Sequence, residues 1–212
     1  MSLVNSNPET ISEGLAKADR YFLGQGRLHT ALNQLAIDLK NHHIDYVVIG
    51  AVALLNHGYR RFTENINLVL TGEGLQAFER HLLGIGGFGV SGYLRANPNS
   101  EKSFLSHPLN VRIEVMTTGE YPGDGKEKPV SVPDPSAAST EIHGIRIVTL
   151  EKLIELKLAS GMTAPHRLKD LADVQELIKI RKLPAEFAQK LDPYVREKFL
   201  ELYETIKQAP QE

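Results

Sequence analysis

Asn65 and Asn67 flank Ile66 in the run Asn65-Ile66-Asn67-Leu68-Val69-Leu70, which reads as a buried strand. Asparagine is depleted in strands. Period two sets both carboxamides on one face. Adjacent polar groups on an otherwise buried strand need partners, or they mark a site. The plainer alternative is a strand-end pair bonded to nearby loops. A second polar face lies in Val111-Arg112-Ile113-Glu114-Val115-Met116. Val111, Ile113 and Val115 alternate on one side, with Arg112 and Glu114 on the other. A strand carboxylate has two readings here. One is an exposed face with an Arg/Glu pair. The other sets Glu114 beside Asn65 and Asn67 on a neighbouring strand, as the floor of a polar cleft.

The elements that must position these residues follow from periodicity and breakers. Helical spacing runs from about Ile11 to Phe22 and from Leu28 to Leu39. Asp45 to Ile49 reads as a buried strand that Gly50 breaks. Ala51 to Asn56 suits a short helix ending at Gly58. After the Asn65–Leu70 strand, a helix covers Leu75 to Leu83. Gly84 to Gly92 is glycine-rich and leads into a loop at Asn97-Pro98-Asn99. Strands are expected at Ser103 to Leu105, Asn110 to Met116, Val130 to Val132, Glu141 to His143 and Ile145 to Val148. Tyr121 to Pro129 is the expected mobile loop. From Leu150 the chain is helical: to Ala159, then Pro165 to Arg181, Pro184 to Leu191 and Pro193 to Lys207. Each of those prolines sits at or near a first turn, where its missing N–H does no harm.

Order and composition bound the class. The pattern predicts an α/β (α+β) architecture: a mixed β-sheet with N-terminal helices and a C-terminal helical region. The expected units are an N-terminal extension over 1–24, a sheet domain over 25–150 and helices over 151–212 packed on it. The 212 residues carry 24 Lys+Arg against 26 Asp+Glu, for a formal net charge of -2. That balance argues against a dedicated duplex-DNA binder, which would carry a basic face. The absence of Cys excludes disulfides, thiolate zinc sites and Cys nucleophiles. Met1 to Thr10 shows no apolar leader, and Tyr46 to Leu55 is far short of the ~20 residues that span a bilayer. The expectation is a cytoplasmic protein with no membrane contact.

The ordered set of motifs resembles the nucleotidyltransferase superfamily, whose fold is shared with DNA polymerase β. Within it, the chain looks most like the bacterial minimal nucleotidyltransferases and the nucleotidyltransferase-like toxins of abortive-infection systems. Gly50-Ala51 stands at the family's glycine motif, and Arg61 and Thr63 match its Arg-x-Thr approach. Asn65 and Asn67 occupy the positions of the Asp-x-Asp pair, and Glu114 fits the third acid. Leu150 to Lys157 resembles the helix after the core sheet. Arg167, Lys169, Asp170 and Asp173 resemble the downstream Arg-x-Lys-Asp-x-x-Asp helix. The resemblance covers roughly residues 28 to 182.

The resemblance implies two Mg²⁺ ions held by three carboxylates, activating a hydroxyl and stabilising departing pyrophosphate. Asn offers only a neutral carbonyl where Mg²⁺ wants charged oxygens. The first expectation is therefore an impaired enzyme that still binds a nucleotide or an RNA phosphate, or acts through a protein partner. Gly50, Ala51, Arg61, Thr63 and Lys157 are the candidate nucleotide contacts. Arg61 and Lys157 have ion pairing as the alternative role. The competing expectation is an active enzyme that moves NMP from NTP to an RNA, protein or small acceptor. Either an engineered Asn pair or a rescuing acid, Glu64 or Glu120, would also account for the motif. A third is an interaction module whose helical C-terminus binds a partner. Other motifs carry less. Gly84-Ile85-Gly86-Gly87-Phe88-Gly89 follows a helix and opens none, so it lacks a dinucleotide context. The eight His residues show no ligand spacing. Asp170 and Asp173 share a helix face and are expected to pair with Arg167 or a nearby Lys.

Overall fold

The computed structural model describes residues 25–84, 92–97 and 99–208. The expected helix from Ile11 to Phe22, the extension over 1–24 and most of the Gly84–Gly89 motif lie outside the described residues.

The elements run α1 (Arg27–Asn41), β1 (Tyr46–Ile49), α2 (Gly50–Asn56), β2 (Asn65–Leu70), α3 (Gly72–His81), β3 (Gly92–Arg95), β4 (Ser103–His107) and β5 (Val111–Thr117). They continue with β6 (Ser139–Ile142), β7 (Ile145–Val148), α4 (Leu150–Thr163), α5 (Leu168–Arg181) and α6 (Pro193–Gln208). Single 3₁₀ stretches, Pro165–Arg167 and Ala185–Lys190, join the last three helices.

One mixed sheet of seven strands has the order β3-β4-β5-β2-β1-β7-β6. At its centre β2 runs antiparallel to β1 and parallel to β5. The central strands are hydrophobic on both faces over most of their length, as buried strands must be. Ile66, Leu68 and Leu70 are buried on one face of β2, with Ile113 beside them on β5. On the other face Val69 and Val47 are equally buried. Only the first half of β2, Asn65 and Asn67, breaks that pattern.

Helices cover the sheet through their apolar stripes. α1 buries Leu28, Ala31, Leu32, Leu35, Ala36 and Leu39, spaced by three and four. It stops where His43 turns left-handed at φ 54. α3 is capped by Thr71, whose hydroxyl accepts from Gly74 N–H at 2.9 Å. Its Phe78 meets Tyr93 of β3 and Phe104 of β4 at centroid distances of 5.2 and 4.8 Å. The β6–β7 hairpin closes through His143 and Gly144, both at positive φ, the signature of a type I′ turn. One hydrophobic cluster includes sheet residues and Leu153, Val174, Leu177 and Phe199 of the C-terminal helices.

Four stretches differ from expectation. Val130 and Val132 are buried, but the segment is not a strand: only Val132 exchanges backbone bonds, with Gly119 and Glu120. Two valines around Ser131 signal burial, and burial alone does not make a ladder. β3 is a strand that the sequence does not signal, because it follows a glycine-rich stretch and ends in two exposed residues. The stretch from Pro165 begins as a 3₁₀ turn rather than an α-helix, and the stretch after Pro184 is 3₁₀ throughout.

Candidate functional site

The parallel ladder between β2 and β5 sets Asn65 against Arg112 and Asn67 against Glu114. Register partners in a ladder share a face, so these four side chains project on the same side of the sheet. Asn65 is exposed and Asn67 half-buried. The side chains of Arg112 and Glu114 are 48% and 37% exposed, so this part of the sheet is open to solvent.

Gly50 closes one side of this floor. Ile49 pairs with Asn67 in the antiparallel ladder, and the chain then turns at Gly50 with φ +69. A Cβ there would stand 2.9 Å from Asn67 Oδ1 and 3.2 Å from its Cβ and Cγ. Glycine is required twice over, for the left-handed backbone and for the room the Asn67 carboxamide takes. Ala51 follows, buried in the first turn of α2.

Glu114 is held by its neighbours. Ser103 Oγ of β4 donates to Glu114 Oε1 at 3.0 Å. Arg112 Nη1 lies 3.6 Å from the same oxygen and donates to Ser103 Oγ at 3.5 Å. The donor set is thus two neutral carboxamides and one carboxylate with a guanidinium at its side. This set does not fit Mg²⁺, which binds through charged hard oxygens. Among the described residues no group of three or more His, Asp or Glu is arranged to hold a metal.

The approach to β2 is fixed by short-range bonds. Thr63 Oγ1 accepts from Asn65 N–H at 3.2 Å, turning the chain into the strand. Arg61 donates to Asp173 of α5. Asp173 also accepts from Lys157 Nζ of α4 at 2.6 Å, and Lys157 reaches Asp170 at 2.9 Å. Asp170 accepts from Ser160 and Arg167 as well, each at 2.8 Å. Burial pushes the Asp170 carboxyl up, but Lys157, Ser160 and Arg167 outweigh it and hold its pKa below the usual carboxylate range. Lys157 is 8% exposed in its side chain, so it takes the ion-pair role that its position left open. Asp170 and Asp173 pair with Arg167 and Lys157, as their shared helix face predicts.

The acids weighed as substitutes stand elsewhere. Glu120 pairs with Lys102 and accepts from Thr117 N–H at 2.9 Å, at the end of β5 away from Asn65. Burial alone would raise it, but those bonds bring its pKa below normal. Glu64 is exposed, just before β2. A cavity of about 240 Å³ lies between α1, α2 and the β6–β7 hairpin, lined by Leu32, Val52 and Ile147 among others. It does not include the Asn pair. Sequence reasoning passed over two members of the floor, Ser103 and the cationic role of Arg112. The signal for Arg112 was present, since period two puts it on the face of Glu114.

Several solved structures resemble the chain. The antibiotic-resistance factor ANT(2'')-Ia, crystallised with adenylyl-2''-tobramycin, is 14% identical, with a TM-score of 0.49 over 82% of this chain and 97% of that one. An antigenic nucleotidyltransferase-like protein from Paracoccidioides brasiliensis is 19% identical, with a TM-score of 0.39 over 72% of this chain and 76% of that one. A Helicobacter pylori protein is 18% identical, with a TM-score of 0.41 over 83% of this chain and 79% of that one. No family model matches the chain, and no curated protein does.

Proposed function

We propose that this chain is a catalytically impaired nucleotidyltransferase-fold protein that retains the binding of nucleotide phosphate. One observation carries the reading: Asn67 sits in register with Glu114 and against Gly50, at the convergence where the resembled family keeps its acids. Asn65, Asn67 and Glu114 form the floor, Gly50 and Ala51 its glycine edge, and Arg61 and Thr63 the approach. Lys157 acts from behind, by holding the carboxylate that Arg61 grips. The helices between Leu150 and Gln208 serve as a brace for the sheet unit rather than as a separate module.

The impairment is electrostatic. At 4 Å in bulk water a unit charge pair is worth about 1 kcal/mol, so each carboxylate against a divalent ion is worth about 2. Two lost carboxylates remove about 4 kcal/mol even at that lower bound, roughly a thousandfold in affinity. A carboxamide also cannot act as the base that takes a proton from an attacking hydroxyl.

Incubation with labelled ATP, CTP, GTP or UTP and Mg²⁺ or Mn²⁺ tests the first half of the reading. The expected result is no transfer to RNA, to protein or to small acceptors. Robust incorporation that vanishes in Glu114→Ala overturns it. Calorimetric titration with the same nucleotides tests the second half, and silence with all four overturns that.

A further inference from the structure

We propose that Arg112 supplies here the positive charge that a metal would supply, and that the ligand is a phosphate group bound without any divalent ion. This rests on the nucleotide-binding reading above and goes further, because it fixes the residue and the ionic condition.

Three observations converge on Arg112. It is the register partner of Asn65 and stands on the face of Asn67 and Glu114. Its side chain is half exposed, so its head is accessible to a ligand. The other two candidate cations are committed: Arg61 bonds Asp173, and Lys157 is enclosed between Asp170 and Asp173. Among the described residues the Arg112 guanidinium meets Ser103 and Glu114 through Nη1, at 3.5 and 3.6 Å. Those are long for charged bonds. Nε and Nη2 are thus available to grip an anion by two parallel bonds, the geometry that favours arginine for phosphate.

The asparagines complete the chemistry. A carboxylate on this floor repels phosphate and needs a metal between them. A carboxamide carries two N–H donors and no charge. Asn67 turns its Oδ1 toward Gly50, so its Nδ2 is the end farther from the glycine. The same two exchanges that remove metal affinity therefore create donors for an anion. Glu114 is the opposing element, since it draws the guanidinium toward itself and Ser103.

The test titrates the full chain with ATP and, separately, with inorganic triphosphate, in EDTA and in Mg²⁺. The wild type is expected to bind both ligands in EDTA, and Mg²⁺, which chelates them and cancels part of their charge, is expected to leave binding no tighter. Arg112→Gln is expected to weaken binding at least tenfold, with Arg112→Lys between the two. Glu114→Gln is expected to tighten binding several-fold, an outcome that misfolding does not mimic. Binding by Arg112→Gln at wild-type strength, binding that needs Mg²⁺, or no gain in Glu114→Gln overturns the inference while leaving nucleotide binding intact. Triphosphate failing where ATP binds overturns the phosphate assignment. No binding of either ligand overturns the nucleotide reading itself.

Discussion

Replacing Gly50 by alanine tests the convergence at the floor. Two effects add. A non-glycine residue in the left-handed region costs roughly 1–2 kcal/mol. The new methyl would also stand 2.9 Å from Asn67 Oδ1, too close for a carbon, and 3.2 Å from its Cβ and Cγ, a crowding that Asn67 must relieve by a small shift. Rotation of the amide relieves the first contact but not the one with Cβ, which is fixed to β2. Such overpacking costs about 1–3 kcal/mol. The expected destabilisation of Gly50→Ala is therefore about 2–5 kcal/mol. Gly144 isolates the first effect, with φ +79 and nothing within 4 Å of an added Cβ. Gly144→Ala should lose only the roughly 1–2 kcal/mol of backbone strain. Urea unfolding of both variants, and of each in an Asn67→Gly background that removes Oδ1, Cγ and Cβ together, reads the contact as a coupling energy. Equal losses in Gly50→Ala and Gly144→Ala, with no coupling to Asn67, would refute the packing of Asn67 against Gly50.

Three further outcomes follow. Lys157→Met leaves Asp170 and Asp173 without their central cation and should cost about 3–5 kcal/mol in urea unfolding, as breaking a buried pair does. Burial holds His57 and His29 below the ordinary histidine value. Their unfolded forms therefore bind protons first, and stability falls as pH drops from about 6.5 toward the lower folded values. His57→Gln, which can still donate to Val148 C=O, should flatten the shift of urea midpoint between pH 7.5 and 5.5. Asn65→Asp combined with Asn67→Asp should bring Mn²⁺ binding into calorimetric range, because two carboxylates then join Glu114; unchanged metal binding would refute the placement of the three on one floor.

Much of the frame was legible because its signals are local. β2 ends where its polar-to-apolar run ends, at Asn65 and Leu70. α1 follows its leucine spacing closely. β3 was not legible, because its strand status comes from partners on β4 and its own sequence is short and half exposed. Within the site, period two assigns Glu114 and Arg112 to one face of β5. That β5 lies beside β2 in parallel, one residue per residue, is a property of the sheet that neither strand states alone. Ser103 was invisible for the same reason, since its role comes from the β4–β5 register. The bonds from Arg61 and Lys157 to Asp173 span 112 and 16 residues respectively. Only the near pair was within reach of helix periodicity. A buried carboxylate with two cations looks in sequence like any surface ion pair.

The most direct test of the central claim is an anomalous-scattering map from crystals grown with ATP and Mn²⁺. The account predicts phosphate density against Arg112, Asn65 and Asn67, with no manganese peak between them. A manganese ion ligated by Asn67 and Glu114 would contradict it.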